Sequence, residues 1–360
     1  MGLDFLHKAL KGSRKVAIAQ AAILAVGALT ALEINNQAEA IIVPGDPNDY
    51  IVSPGTGYDG VVDLEISVIS TPQPLYCSGS LLPTGLHILT AAHCLSSSID
   101  TLDIAPLGTL FAKDATAFFY LPTGKVGVNA AEFYIHPNWN GQYYNGNDLA
   151  IIKLAEPAPL AADRYDIYRG NDELGKPSTK VGYGVTGNVN SDQRFFDGNK
   201  RGGLNTYDAF GELLNGVIPG LNFAPGTAML YDFDNGNPAN DALGVVAGIS
   251  NLGFGENEVY PFFGDSGGPN FINGLIAGII SDGIRYPFPS ETDNIPYNSS
   301  FGEIGFDTRV SYYASYVDDV LAGKVTPTKQ IPEPNTIFGT VFALGAFGIS
   351  SRFKKKTISM

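Results

Sequence analysis

Basic side chains are scarce: 22 Lys and Arg stand against 36 Asp and Glu, giving a formal net charge of -14 at pH 7. A nucleic-acid partner, whose phosphates need Lys and Arg, is excluded on that ground. Cysteine is nearly absent, with two in 360 residues, so this is no small disulfide scaffold. At this length the chain can build a core as one large or two medium domains. Histidine is also rare. The four, at positions 7, 87, 93 and 136, include no His-Glu-x-x-His pair, which argues against a zinc hydrolase. Gly 43 and Pro 23 supply many turns, yet stay below the roughly 25–30 % of low-complexity disorder.

Both ends read as processing segments. Lys8, Lys11, Arg14 and Lys15 precede an uncharged run from Val16 to Leu32, and Ala38-Glu39-Ala40 offers the small-x-small site that signal peptidase accepts. Residues 1–40 therefore read as an export signal, followed by an N-terminal segment over 41–57. At the other end Ile331-Pro332-Glu333-Pro334 leads into an apolar stretch, Thr336 to Ser350, and then Arg352, Lys354, Lys355 and Lys356. The stretch is short for a bilayer span, but an apolar run with a basic stop fits a membrane-arrested tail. This order resembles the PEP-CTERM sorting tail of Gram-negative bacteria, over 332–360. The resemblance implies an exosortase-like processing enzyme and membrane contact through the tail before processing. The expected location is extracellular or cell-surface, with a transient membrane-anchored form.

Residues 41–331 carry 14 basic and 32 acidic side chains, so the body should be soluble and repel acidic polymers. In an oxidising compartment Cys77 and Cys94 can pair only with each other, closing a loop worth roughly 3 kcal/mol in the chain-entropy model. From Asp59 to about Ile280 short β-rich runs alternate with Gly, Pro, Asn and Asp, which gives an all-β class. Leu64 to Val68 alternates with period two, and Leu149 to Ile152 is the continuous apolar run of a strand buried on both faces. One helix is expected over about 309–322, from Val310, Tyr313, Ala314, Val317, Val320 and Leu321 at helical spacing with Gly323 as the stop. Residues 324–331 read as a linker.

Three segments can carry chemistry. His93 follows small residues in Thr90-Ala91-Ala92 and precedes Cys94, whereas His87 reads as a strand-surface residue and His136, before Pro137, as a turn residue. Gly264-Asp265-Ser266-Gly267-Gly268-Pro269 surrounds a serine with residues that permit unusual dihedrals and close backbone approach. Such a segment can aim two backbone N–H groups at a developing oxyanion. Asn147-Asp148-Leu149-Ala150 sets a carboxylate before a buried strand, where it can orient an imidazole. Taken singly, the first two are equally a packed histidine and a tight turn, and the third reads as a strand-start cap.

Together, and in the order His, Asp, Ser, these motifs resemble the chymotrypsin/trypsin family of serine proteases. Cys77-Ser78-Gly79-Ser80, Gly182-Tyr183-Gly184 and Gly305-Phe306-Asp307-Thr308-Arg309 add weaker likenesses, and the match spans about 58–323. The resemblance implies two antiparallel β-barrels, about 58–165 and 170–305, with a C-terminal helix. It also implies a catalytic set of His93, Asp148 and Ser266, an oxyanion hole from Gly264 and Ser266, and an acyl-enzyme mechanism on a protein or peptide substrate without a cofactor. Around the specificity pocket it points to Tyr260, Gly283 and Gly305, with Ser281 backing the catalytic acid. An acid at Tyr260 would be needed for tryptic specificity, which is therefore not expected; Glu256, Glu258 and Asp307 are other acids considered for the pocket. The rival reading is a catalytically silent, protease-like binding protein of the cell envelope or extracellular matrix.

An Ile-Val-Gly-Gly start is missing; the nearest segments are Ile41-Ile42-Val43 and Gly60-Val61-Val62. In the family a freshly cut N-terminal amine pairs with the acid before the nucleophile, here Asp265. The sequence leaves open whether Ile41 or another group meets it, and activity without tryptic-style propeptide cutting is expected. Asp232 to Asn237 offers oxygen donors for Ca²⁺ but lacks EF-hand spacing and a closing Glu, so it reads as a polar turn with no metal expected.

Overall fold

The computed structural model describes residues 41–332 apart from positions 70, 102, 103, 192, 294, 296 and 297. The export-signal reading (1–40), the apolar stretch 336–350 and most of the sorting-tail reading lie outside the described residues. Among those described, no helix is long and apolar enough to cross a membrane.

Among the described residues sixteen strands follow in chain order: β1 (Ile42–Val43), β2 (Val61–Val68), β3 (Leu75–Leu81), β4 (His87–Thr90), β5 (Ala112–Leu121), β6 (Gly124–Ile135), β7 (Ala150–Leu154) and β8 (Pro177–Gly182). The second half holds β9 (Gly187–Asn188), β10 (Arg201–Thr206), β11 (Ala209–Phe210), β12 (Ala228–Asp232), β13 (Pro269–Ile272), β14 (Leu275–Gly283), β15 (Ile304–Arg309) and β16 (Lys329–Gln330). Among the described residues the α-helices are α1 (Ala242–Ala247) and α2 (Ala314–Leu321).

The first sheet runs β6-β5-β2-β3-β4-β7 and closes through β6–β7 pairing into a six-stranded antiparallel barrel. The second runs β10-β8-β13-β14-β15-β12-β11 and curls without closing. The fold is thus the all-β, two-barrel type with a C-terminal helix, its second barrel being a curled half-barrel. β1 and β9 form a short parallel pair.

Local expectations meet their physical causes here. β7 is buried along Ala150, Ile151 and Ile152 because it pairs with β4 on one side and β6 on the other. β2 alternates only from Leu64 to Val68; Val61 to Leu64 is buried on both faces where the barrel closes over it. The expected helix starts as a 3₁₀ turn at Val310–Tyr313 and continues as α2, with Val310, Tyr313, Val317 and Val320 buried. Gly323, at φ 69°, ends it in the left-handed conformation that favours glycine. The stretch read as a linker is not free of the body. Lys329–Gln330 pairs with β6 as an added edge strand, and Thr328 N and Ile331 N donate to Phe133 O and Ala131 O, both at 2.7 Å. Sequence gave no sign of this because two residues are too few to show period two.

Candidate active site

The end of β4 runs into a 3₁₀ turn, Ala92–Cys94, that carries His93, and the Cys77–Cys94 disulfide ties this turn to β3. Asp148 stands just before β7, the strand paired with β4, so the shared barrel wall delivers both residues to one place. His93 Nδ1 lies 2.8 Å from Asp148 Oδ2, and His93 N donates to Asp148 Oδ1 at 2.9 Å. Ser281, on β14 of the second barrel, donates its hydroxyl to Asp148 Oδ2 at 2.6 Å. Thr308 Oγ1 adds a hydrogen bond to Asp148 O.

This enclosure sets the electrostatics. Burial by itself pushes the His93 imidazole down, but the Asp148 charge and hydrogen bond outweigh it and leave the pKa raised above 6.5. For Asp148 burial pushes up, while His93 and the hydrogen bonds from His93 and Ser281 bring the carboxyl below 3.8. The pair therefore favours imidazolium beside carboxylate, the state that a proton-accepting histidine reaches during catalysis. His93 Nδ1, bonded to the carboxylate, directs the opposite ring nitrogen to the remaining partner.

Ser266 lies on the Gly264–Pro269 turn before β13. Ser266 O accepts from Ser78 N at 2.8 Å, Ser78 Oγ donates to Gly264 O at 3.0 Å, and Cys94 Sγ touches Ser266 O at 3.6 Å. A Cβ on Gly267 would fall 2.1 Å from Thr90 Oγ1 and 2.9 Å from Ala91 N, so only glycine lets this turn lie against the residues that lead into His93. Among the described residues Ser266 Oγ makes no hydrogen bond to His93.

Backbone accounting distinguishes the two expected oxyanion donors. The N–H groups of Asp265, Gly267 and Gly268 donate to Phe262 O, Ile280 O and Asp265 O. Those of Gly264 and Ser266 are spent on no protein acceptor among the described residues, which leaves two donors in one turn for a ligand oxygen. Gly264, at φ 89°, adopts the conformation this requires.

Asp265 is fully buried and accepts three backbone donors: Ile41 N at 2.9 Å and Phe262 N at 3.0 Å on Oδ2, and Gly184 N at 2.9 Å on Oδ1. Burial pushes its pKa up to about 6 against these donors. Gly182 is needed for the approach, since a Cβ there would lie 2.2 Å from Asp265 Oδ1. The question left open by sequence is thus answered in geometry: the group beside Asp265 is Ile41. The Ile41 segment also exchanges Ile42 N to Tyr260 O and Tyr260 N to Ile42 O, at 2.8 and 3.1 Å.

A pocket beside Ser266 is lined by Tyr260, Phe262, Ile280, Ser281 and Gly283, and also by Tyr231 and Glu303. Tyr260, Ser281 and Gly283 are thus among the lining residues. Gly305 is not; a Cβ there would lie 2.6 Å from the Tyr231 ring, so this glycine makes room for a lining tyrosine. None of the three acids considered for the pocket lines it. Asp307 pairs with Lys180 at 2.9 Å, Glu258 accepts from Asp234 N and Phe254 N, and Glu256 is exposed. The buried acid that does is Glu303, whose oxygens accept from Asn298 N and Ser299 N at 2.9 and 3.1 Å. Sequence missed Glu303 and Tyr231 because strand pairing, and no local pattern, brings β12 and β15 beside the serine turn.

The other histidines do not join the site. His87 differs from the surface reading: it is buried, with Nδ1 2.8 Å from Thr84 Oγ1. His136 packs edge-on against Tyr313 and Tyr316 with its pKa pushed down to about 4 by burial, as a structural residue would. The sulfurs of Cys77 and Cys94 lie near His93, but the disulfide consumes both and leaves no thiolate for a metal.

Comparison with known proteins agrees with this architecture. The trypsin family model matches residues 61–200. Brachyurin of Leptuca pugilator is 30 % identical over 211 residues, covering 58 % of this chain and 76 % of that protein. Chymotrypsin-C of Rattus norvegicus is 36 % identical over 85 residues, or 24 % of this chain, which spans only 28 % of that relative's length. In fold, the chain is similar to neuropsin, a serine protease expressed in the limbic system of mouse brain, with TM-score 0.51, 16 % identity and coverage of 76 % of this chain and 98 % of the other.

Proposed function

Because this chain belongs to the trypsin family of serine proteases, we propose that it is an exported serine endopeptidase acting through an acyl-enzyme on Ser266. His93 takes the Ser266 proton and passes it to the leaving amine, Asp148 holds the imidazole in one tautomer, and the Gly264 and Ser266 N–H groups receive the oxyanion. The observation that carries this reading is the paired His93–Asp148, backed by Ser281 and set across the barrel junction from a serine turn with two unspent donors.

Removal of residues 1–40 completes the site in this proposal. Ile41 N already faces the Asp265 carboxylate in a fully buried position. Its φ of 45° is a strained left-handed value for a β-branched residue while a peptide bond joins it to Ala40. Cleavage after Ala38-Glu39-Ala40 abolishes that dihedral and turns an amide into an ammonium ion, whose charge favours ionised Asp265. Signal peptidase then serves as the activating enzyme, and the hydrogen bonds from Ile42 to Tyr260 pass the new order to the pocket wall. The pocket is walled by aromatic rings, and its acid Glu303 is committed to backbone donors, so an uncharged apolar side chain is preferred over Lys or Arg.

The test labels exported protein with a fluorophosphonate and determines both termini by mass spectrometry. Chains beginning at Ile41 should label, Ser266→Ala should not, and chains retaining residues ahead of Ile41 should label at least about ten-fold more slowly, one oxyanion donor being worth ~2.7–4 kcal/mol. Labelling of Ser266→Ala would sink the nucleophile assignment, and equal labelling of uncut chains would sink the activation step.

A further inference from the structure

Away from the catalytic cleft, carboxylates crowd the end of β12. Asp232 is the last residue of that strand, Asp234 follows two positions on, and Asp241 caps the N-terminus of α1. All three are buried, and one carboxylate oxygen from each lies within 4.8 Å of the others. Two further acids flank them: the Asp208 charge pushes the Asp232 pKa up, and Glu258 Oε2 accepts from Asp234 N at 3.0 Å. Among the described residues none of these five forms an ion pair with Lys or Arg.

Asp232 and Asp241 have local partners. Asp232 Oδ2 accepts from Leu243 N at 2.8 Å, and Asp241 accepts from Gly244 N at 2.6 Å and Ser250 Oγ at 2.8 Å. Asp234 has none: it is 1 % exposed, and neither carboxylate oxygen has a hydrogen-bond partner. A buried carboxylate without a donor is costly, and it lies beside two more of its own sign. Protein hydrogen bonds do not account for its position.

We propose that Asp232, Asp234 and Asp241 bind one Ca²⁺ ion. Ca²⁺ takes oxygen ligands at about 2.3–2.6 Å, so oxygens around a single ion lie within roughly 5 Å of one another, as these do. The donor set is all oxygen, which selects a hard cation over zinc or copper. Mg²⁺ demands near-ideal octahedral geometry at shorter range and suits less well a group drawn from a strand end and a helix cap. Sequence favoured a polar turn here because Asp241 reaches the site only after a loop, and the spacing follows no calcium-loop pattern. The ion ties the end of β12 to α1. It also steadies the Asp234–Glu258 contact, two residues before the pocket tyrosine Tyr260. None of this depends on the protease reading.

The test uses the exported protein stripped with chelator, followed by thermal unfolding and calorimetric titration with CaCl₂ alone. At Ca²⁺ about 100-fold above Kd, Tm should rise by roughly 4 °C. MgCl₂ at the same concentration should raise it less. Asp234→Asn, isosteric at a side chain with no partner to lose, should lose the Ca²⁺ response while its Tm in chelator is no lower than that of the parent. No calcium response in the parent, an undiminished response in Asp234→Asn, or an equal rise with Mg²⁺ would each overturn the assignment; the parent titration decides even if the variant does not fold.

Discussion

The first barrel closes on itself around apolar side chains such as Leu64, Ile66, Phe119 and Phe133, whereas the second leaves its sheet open and buries charge. Lys180, Arg201, Asp232, Asp234, Glu258, Asp265, Glu303 and Asp307 are all buried in the second half. Lys180 is fully enclosed, with Nζ 2.9 Å from Asp307 Oδ2 and 3.3 Å from the Tyr231 ring centre. Asp307 also accepts from Tyr207 and Asn270. Closure lets the first barrel satisfy its backbone within its own ladder and offer a stiff seat for His93 and Asp148. The second spends buried polar groups to shape a pocket and a serine turn, and gains less from each than apolar packing would give.

That contrast can be broken at several points. The largest effect falls on catalysis: Asp148→Asn should lower kcat about 10⁴-fold with little change in fold, as expected when an imidazole loses its orienting carboxylate. In the parent, the acidic limb of kcat/KM should have its midpoint above pH 6.5, because Asp148 raises the His93 pKa and the base works only when neutral. In stability terms the His93 contribution is complete below its unfolded value near 6.5 and is lost as pH rises through the raised folded value. A midpoint below 6.5 would contradict the geometry.

The next largest effect tests the charged interior. Lys180→Met leaves Asp307 buried without its cation and should cost about 3–5 kcal/mol in denaturant unfolding; Lys180→Met with Asp307→Asn, which keeps an uncharged acceptor for Tyr207 and Asn270, should recover most of it. Smallest is Arg169→Ala, which removes the exposed pair with Asp318 between the segment that leads from β7 to β8 and α2. About 0.2–1 kcal/mol is expected there. Equal costs for the two ion pairs would show that enclosure in the second barrel adds nothing to the weight of its buried charges.

The segments around His93, Asp148 and Ser266 pointed to chemistry only together and in their order along the chain, whereas the buried run of β7 and the helical spacing of α2 could be read locally. The partner of Asp265 could not be read, since Ile41 lies 224 positions away and meets it only through the folded body. Glu303, Tyr231 and the convergence of Asp241 on Asp232 were hidden for the same reason. His87 misled because alternation predicts a face, and in a closed barrel with Thr84 alongside both faces can be covered.

The pairing of Lys329–Gln330 with β6 has a mechanical side. Lys329 Nζ also grips Ala112 O and Lys113 O on β5, both at 2.8 Å, and Ile135 N donates to Thr328 Oγ1. Tension applied beyond Ile331 would load these bonds in shear along the barrel wall before any of it reached α2. A pull on the chain from that side would be borne by the first barrel's wall and leave the serine turn, on the other barrel, undisturbed.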